Sequence, residues 1–213
     1  AFGSGGESGN ARSWTGSPSH AGDRHMPATE PGVAMPGGAF LVGDDVALRP
    51  VEEDDLEFLR DHSNDPAIRH PMTFDRPTNL EAQRERFEDM YDGDDVGLLA
   101  CVDDEPIGYA MLFRVDESAG HAEIAYWLAP EAQGEGYGTE MAALLLDYAF
   151  DERRLHRIRA RALDTNAASQ RLLEKLGFTH EGVQRDEKYV RGEYVDTHFY
   201  GLLDEEWAGS EVF

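Results

Sequence analysis

The chain is expected to fold as one α/β (α+β) domain on a mixed sheet. Three observations predict this. Strand and helix patterns alternate through the middle of the chain, hairpin patterns stand at both ends, and a glycine-rich loop joins a strand to the clearest helix. With 213 residues, the chain can bury the core of one mid-sized domain.

Residues 1–39 are rich in Gly, Ser and Pro and carry no apolar period, so they read as a disordered tail before a single domain at 40–213. The N-terminus shows no apolar h-region behind a basic n-region. The first residue is Ala, and Met26 and Met35 are each a candidate natural start.

Val46–Arg49 reads as a short strand, followed by a helix over Val51–Ser63. Acidic Glu52–Asp55 fall in that helix's first turn, where the dipole favours anions. Thr78–Tyr91 is a second helix, with Leu80, Phe87, Met90 and Tyr91 near one face. Val96–Val102 and Ile107–Val115 flank a tight Asp103-Asp104-Glu105-Pro106 turn, a hairpin signal. His121–Leu128 alternates, with Glu123, Ala125 and Trp127 on one face and Ile124, Tyr126 and Leu128 on the other. Gly138–Asp151 is the clearest helix, since Met141, Leu144, Leu145, Tyr148 and Ala149 follow an amphipathic stripe. His156–Leu163 is a strand, Asn166–Leu176 a short helix stopped by Gly177, and Phe178–Val190 with Glu193–Leu203 a hairpin around Arg191-Gly192.

Composition excludes several function classes. The chain carries 43 acidic and 19 basic residues, of which only Lys175 and Lys188 are lysines, for a net charge of −24. Such a polyanion repels nucleic acid and anionic membrane. Its self-repulsion is screened at ~1 M salt, where the Debye length is about 3 Å, so the composition resembles that of proteins from salt-accumulating halophiles. No apolar run approaches the roughly 20 residues of a bilayer span. A single cysteine, Cys101, suits a reducing, cytoplasmic setting and reads as a buried structural thiol. No HExxH, Cys/His cluster or calcium-loop spacing marks a metal site.

The chemistry-bearing segment is Gln133-Gly134-Glu135-Gly136-Tyr137-Gly138, between a strand and a helix. Glycines let the backbone approach a ligand, and the first amides of a helix are unpaired and carry positive partial charge. Together they form an anion cradle. The spacing is neither that of a P-loop nor that of a dinucleotide fold.

Gln133-x-x-Gly136-x-Gly138 resembles the Q/R-x-x-G-x-G/A loop of the GNAT superfamily of N-acetyltransferases. Three further stretches resemble its ribosomal-protein alanine/serine (Rim-type) branch: AEIAYWLAPEAQGEGYGTE, HRIRARALDTNAASQRLLEKLGF and ALRPVEEDDLEFLRDHSNDP. The likeness covers roughly Asp44–Trp207. It implies a mostly antiparallel sheet, splayed at its centre and flanked by helices, with acetyl-CoA in the split between the strands ending at Leu128 and Leu163. The pantetheine arm would pair with backbone of Trp127, Leu128 and Ala129, and the pyrophosphate would sit on amides of Gln133, Gly134, Glu135, Gly136, Tyr137, Gly138 and Thr139. Asn166 would bond the pantetheine or adenylate arm. Many members place a general-acid Tyr where this chain has Leu173; the Rim-type branch resembled here uses the Asn-x-x-Ser hydroxyl instead, which implies Ser169 as proton donor to the thiolate, with a helix-cap role as the alternative. The likeness also admits a homodimer through the late strands.

Arg171 and Lys175 lie four apart, hence on one helix face, and are candidates for the 3′-phosphate; a solvated surface is the alternative. Glu123 is the candidate base, acting through water, unless it is paired with an Arg across the sheet. A backbone amide near Trp127 or Leu128 would stabilise the oxyanion. Tyr126 and Tyr194 are candidates to line the acceptor site, with core packing the alternative for each. The acceptor is expected to be a protein N-terminal α-amine, whose pKa near ~7.7–8 asks less of a base than the ~10.4 of a Lys amine. A polyamine, aminoglycoside or amino sugar is the alternative, and a non-catalytic CoA-binding protein the third reading.

Overall fold

The computed structural model describes residues 38–91 and 93–213. All but the last two residues of the tail expected over 1–39 lie outside the described residues. One eight-stranded sheet organises the domain, in the order β1-β2-β3-β4-β5-β6-β8-β7. The strands are β1 (Leu41–Val42), β2 (Ala47–Pro50), β3 (Val96–Val102), β4 (Glu105–Asp116), β5 (His121–Leu128), β6 (Arg157–Leu163), β7 (Thr179–Val190) and β8 (Glu193–Leu203). Every neighbouring pair is antiparallel except β5 and β6. The helices are α1 (Leu56–Asn64), α2 (Pro66–Arg69), α3 (Leu80–Tyr91), α4 (Tyr137–Asp147) and α5 (Ala167–Lys175).

Both expected hairpins close on two-residue turns with left-handed backbone at each central residue. These are Asp103 (φ 49°) and Asp104 (φ 66°), then Arg191 (φ 53°) and Gly192 (φ 98°). This geometry matches the twist of the flanking strands, so Glu105 and Pro106 belong to β4 and not to the turn. The acidic run Glu52–Asp55 is only partly helical dipole chemistry. Residues Glu53–Asp55 form a 3₁₀ turn before α1, and Asp55 is buried in a two-oxygen pairing with Arg49, at 2.7 Å for each bond. Asp55 also accepts from the Glu52 amide at 2.9 Å.

α4 departs from the expected stripe. Met141 through Leu146 are all buried, not one face alone. The reason is that the turn before β2 and the segment after β8 cover it. Glu140 accepts from the Asp45 and Val46 amides at 2.8 and 2.9 Å, while Asp147 accepts from Trp207 Nε1 at 2.8 Å. The helix ends at Asp147 and continues as a π turn over Tyr148–Glu152, where the sequence pattern suggested helix to Asp151.

Candidate active site

The sheet forks at its centre. β5 and β6 share only the pairs His121↔Arg157, Ala122↔Ile158 and Glu123↔Arg159. β5 nevertheless stays paired with β4 as far as Leu128, and β6 with β8 as far as Leu163. Beyond Glu123 the facing edges of the two strands therefore lack ladder partners. The first turn of α4 wedges the fork: a Cβ on Gly138 would stand 3.2 Å from Leu172 Cδ1 and 3.5 Å from Leu128 Cδ1. A cavity of about 1100 Å³ runs through the split and is lined from both faces of the sheet.

On one face lies the anion cradle. Gly134 (φ 94°) and Gly136 (φ 98°) hold a backbone that L-residues avoid. A Cβ at either would meet nothing within 4 Å, so conformation and not packing selects glycine there. The amides of Gly134, Glu135, Gly136, Tyr137 and Gly138 donate to no backbone carbonyl among the described residues. Gln133 Nε2 donates to Leu128 O at 3.0 Å and ties the loop to the strand tip. Asn166 caps α5 by accepting from the Ser169 amide at 3.1 Å, which leaves its Nδ2 as a donor for a ligand. Arg171 and Lys175 both line the cavity. Lys175 Nζ also lies 5.9 Å from the Phe213 ring centre. Ser169 Oγ stands 3.3 Å from the Tyr126 hydroxyl, and burial pushes the Tyr126 pKa up to about 12. Tyr126 thus stays protonated throughout the neutral range.

The cavity's charge runs against that of the chain. Its described lining has six basic residues (Arg86, Arg114, Arg161, Arg171, Lys175, Lys188) and three acidic ones (Asp89, Asp95, Glu123), on a protein of net charge −24. Both lysines of the sequence are here. A polyphosphorylated ligand fits this lining and the open amides better than a cation does.

On the other face, Glu123 stands at the fork itself, 8% exposed. Arg161 Nε donates to its Oε1, and Arg114 Nη1 donates to its Oε2 at 2.9 Å. Arg114 reaches it from a β-bulge, with φ of 52°. Across-sheet pairing, the alternative reading of Glu123, is therefore present, and both its oxygens are engaged. Trp127 shares this face and stacks against His62 and Phe58, with ring centres 5.4 and 5.8 Å apart.

Other expectations are placed differently. Tyr194 does not line the cavity. It lies 66% exposed near the tip of the β7–β8 hairpin, its ring centre 5.0 Å from that of Tyr189. The physical reason is length: β6 pairs β8 only from Thr197 onward, so the hairpin overhangs the sheet. Tyr126 lines the cavity on the α5 side, opposite Trp127. Leu173 is buried in the core. Cys101 is buried, and burial raises its thiol pKa. The sequence pattern predicts neither which arginines hold Glu123 nor the Tyr126–Ser169 pair. Register sets Arg161 two residues beyond Arg159, the β6 partner of Glu123, but it signals neither the bulged Arg114 nor Ser169 on α5.

Comparison with known proteins agrees with this geometry. The family model described as "Acetyltransferase (GNAT) domain" matches residues 45–179. The uncharacterized N-acetyltransferase p20 of Bacillus licheniformis is 29% identical over 79% of this chain and 98% of its own length. A Bacillus subtilis protein provisionally named a ribosomal N-acetyltransferase, YdaF, is 36% identical over 64% of this chain and 73% of its own. The solved spermidine N-acetyltransferase of Vibrio cholerae, in complex with CoA and spermine, superposes with a TM-score of 0.73 at 25% identity, covering 77% of this chain and 98% of that one. With a forked mixed sheet, an open amide cradle at the fork and a family match over most of the described domain, the chain belongs to the GNAT superfamily and is an acetyl-CoA-dependent N-acetyltransferase.

Proposed function

We propose that the protein transfers the acetyl group of acetyl-CoA to a protein N-terminal α-amine. The observation that carries this reading is the engagement of Glu123. Of the three carboxylates that line the cavity among the described residues, Glu123 is the buried one, and two guanidinium groups hold both its oxygens. Asp95 accepts from the Val115 amide at 3.4 Å and Asp89 is exposed. An acceptor that loses its proton easily suits such a site, and an α-amine does so near pH ~7.7–8.

Acetyl-CoA supplies the acetyl group as a thioester. The amide C–N bond forms as the C–S bond breaks, the amine gives up a proton and the leaving thiolate takes one. In our reading Ser169 Oγ donates that proton, and the Tyr126 hydroxyl beside it keeps Ser169 oriented and replenished. Backbone of Trp127, Leu128 and Ala129 and amides of Gln133–Thr139 would hold the cosubstrate, with Asn166, Arg171 and Lys175 along its arm. Glu123 would act as a positioning residue that locks the fork open through its two arginines. The net charge of −24 favours work at high salt.

A second reading, polyamine acetylation, is supported by the likeness to the spermidine N-acetyltransferase. The basic lining of the cavity argues against a polycation. Thiol release from acetyl-CoA, measured at ~1 M salt with N-terminal peptides, spermidine and an aminoglycoside in parallel, tests the proposal. Peptides should be the best acceptors, and a preference for spermidine would favour the second reading.

A further inference from the structure

The acceptor half of the cavity has a chemistry of its own. Tyr109, Met111 and Phe113 of β4 pair in register with Trp127, Ala125 and Glu123 of β5, so all six share the sheet face opposite Tyr126 and Ser169. Small Ala125 lies between Trp127 and Glu123, pairs with Met111 and lines the cavity. Across from this floor stand Met72, Phe74, Phe87 and Met90, from α3 and the segment after α2. These four, with Met111 and Phe113, all line the cavity and are only partly buried. The Tyr109 hydroxyl fixes Met90 by donating to its Sδ at 3.2 Å. Half of the chain's six methionines are in this group. Met and Phe side chains left accessible in a concave site adapt to apolar ligands of varied shape.

From this we infer that the acceptor is an amine flanked by a medium-sized apolar group, specifically a peptide whose first residue is Leu, Met or Phe. The inference rests on the transferase reading above and adds the side-chain class. The split joins this apolar floor directly to the Ser169 face, so an amine entering beside Glu123 places its own side chain against Met111 and Phe87. Glycine, serine and spermidine leave those surfaces uncovered. The charged lining offers spermidine little compensation, since Arg114 and Arg161 already hold Glu123, and Arg86 and Lys188 line the cavity along with Asp89 and Asp95.

The test is the specificity constant for a peptide series differing only at the first residue (Gly, Ser, Leu, Met, Phe), with spermidine as a further acceptor. Leu, Met or Phe should exceed Gly and spermidine by about tenfold or more, as burial of two or more methylene equivalents requires. Ala125→Leu fills the floor, and should bring Leu and Gly peptides to within about threefold of each other while acetyl-CoA affinity changes less than about twofold. Retained acetyl-CoA binding shows that this variant is folded; should it fail to fold, Met111→Ala, which enlarges the floor, should shift preference from Leu toward Phe. A preference for Ser, Gly or spermidine overturns the inference and leaves acetyl transfer standing. Acetyl-CoA binding with no acceptor acetylated would instead overturn the transferase reading, and the inference with it.

Discussion

Replacing Glu123 by Gln probes the fork where the two halves of the sheet part. The substitution keeps shape and one neutral acceptor but removes the charge that two guanidinium groups share. The Arg161 side chain is 28% exposed and that of Glu123 is 11% exposed, so this contact behaves as a partly buried charge-assisted bond of about 1.5–3 kcal/mol. The Arg114 side chain is 64% exposed, and its contact is worth about 0.2–1 kcal/mol after solvent screening. A neutral hydrogen bond retained by Gln returns about 1 kcal/mol. The expected net loss is therefore about 1–3 kcal/mol, which lowers Tm by roughly 2–12 °C for a domain of this size. Thermal unfolding at fixed salt reads the loss. The pH profile of kcat/KM reads the role. A positioning residue lowers the rate without reshaping the profile, because the ionisation followed is that of the acceptor amine. An unchanged Tm together with a lost acid limb would refute this reasoning and make Glu123 the general base.

Three further outcomes are expected. Ser169→Ala should lower kcat about tenfold or more, as loss of a general acid does, while acetyl-CoA affinity stays nearly constant; an unaltered kcat would remove Ser169 from the proton path. Arg171→Glu with Lys175→Glu should abolish discrimination between CoA and 3′-dephospho-CoA, which in the parent protein should be about tenfold or more for a charge-assisted phosphate contact. Equal discrimination in both proteins would return these residues to the solvated surface. Stability should also fall with alkali. The Tyr126 hydroxyl titrates at an ordinary value of 10.0 when unfolded and at about 12 when folded, so the folded state holds its proton longer. Stability is then full below the unfolded value and declines as pH rises toward the folded one, by about 2–3 kcal/mol for this group. Tyr126→Phe should flatten that decline in a pH series of chemical denaturation curves, and a decline of equal size in the variant would assign it elsewhere.

The fold was largely legible because its signals are local. The alternation in His121–Leu128 predicted which side chains share a face. The positive φ values at Gly134 and Gly136 follow from the same loop that suggested an anion cradle. What was not legible depends on register and on contacts distant in sequence. Arg114 meets Glu123 only because a bulge in β4 turns its backbone left-handed, and no propensity forecasts that. Helix α4 shows a stripe in sequence, yet it is buried nearly all round because residues about 95 positions before it and 60 after it cover its outer face. By sequence Tyr194 is a candidate for the acceptor site or the core, and the overhang of a long hairpin takes it to neither. Leu173 is the opposite case: one residue, read against the family pattern, redirected attention to Ser169, and the structure places Ser169 beside Tyr126 at the cavity wall.

Transfer of acetyl from acetyl-CoA to a peptide α-amine should be stoichiometric. The direct measurement pairs thiol release with mass spectrometry of the acceptor peptide at ~1 M salt, where the chain's self-repulsion is screened. One acetylated N-terminus is expected for each thiol released, with an internal Lys on the same peptide left unmodified. Acetylation of the Lys in place of the N-terminus, or thiol release with no acetylated peptide, would contradict it.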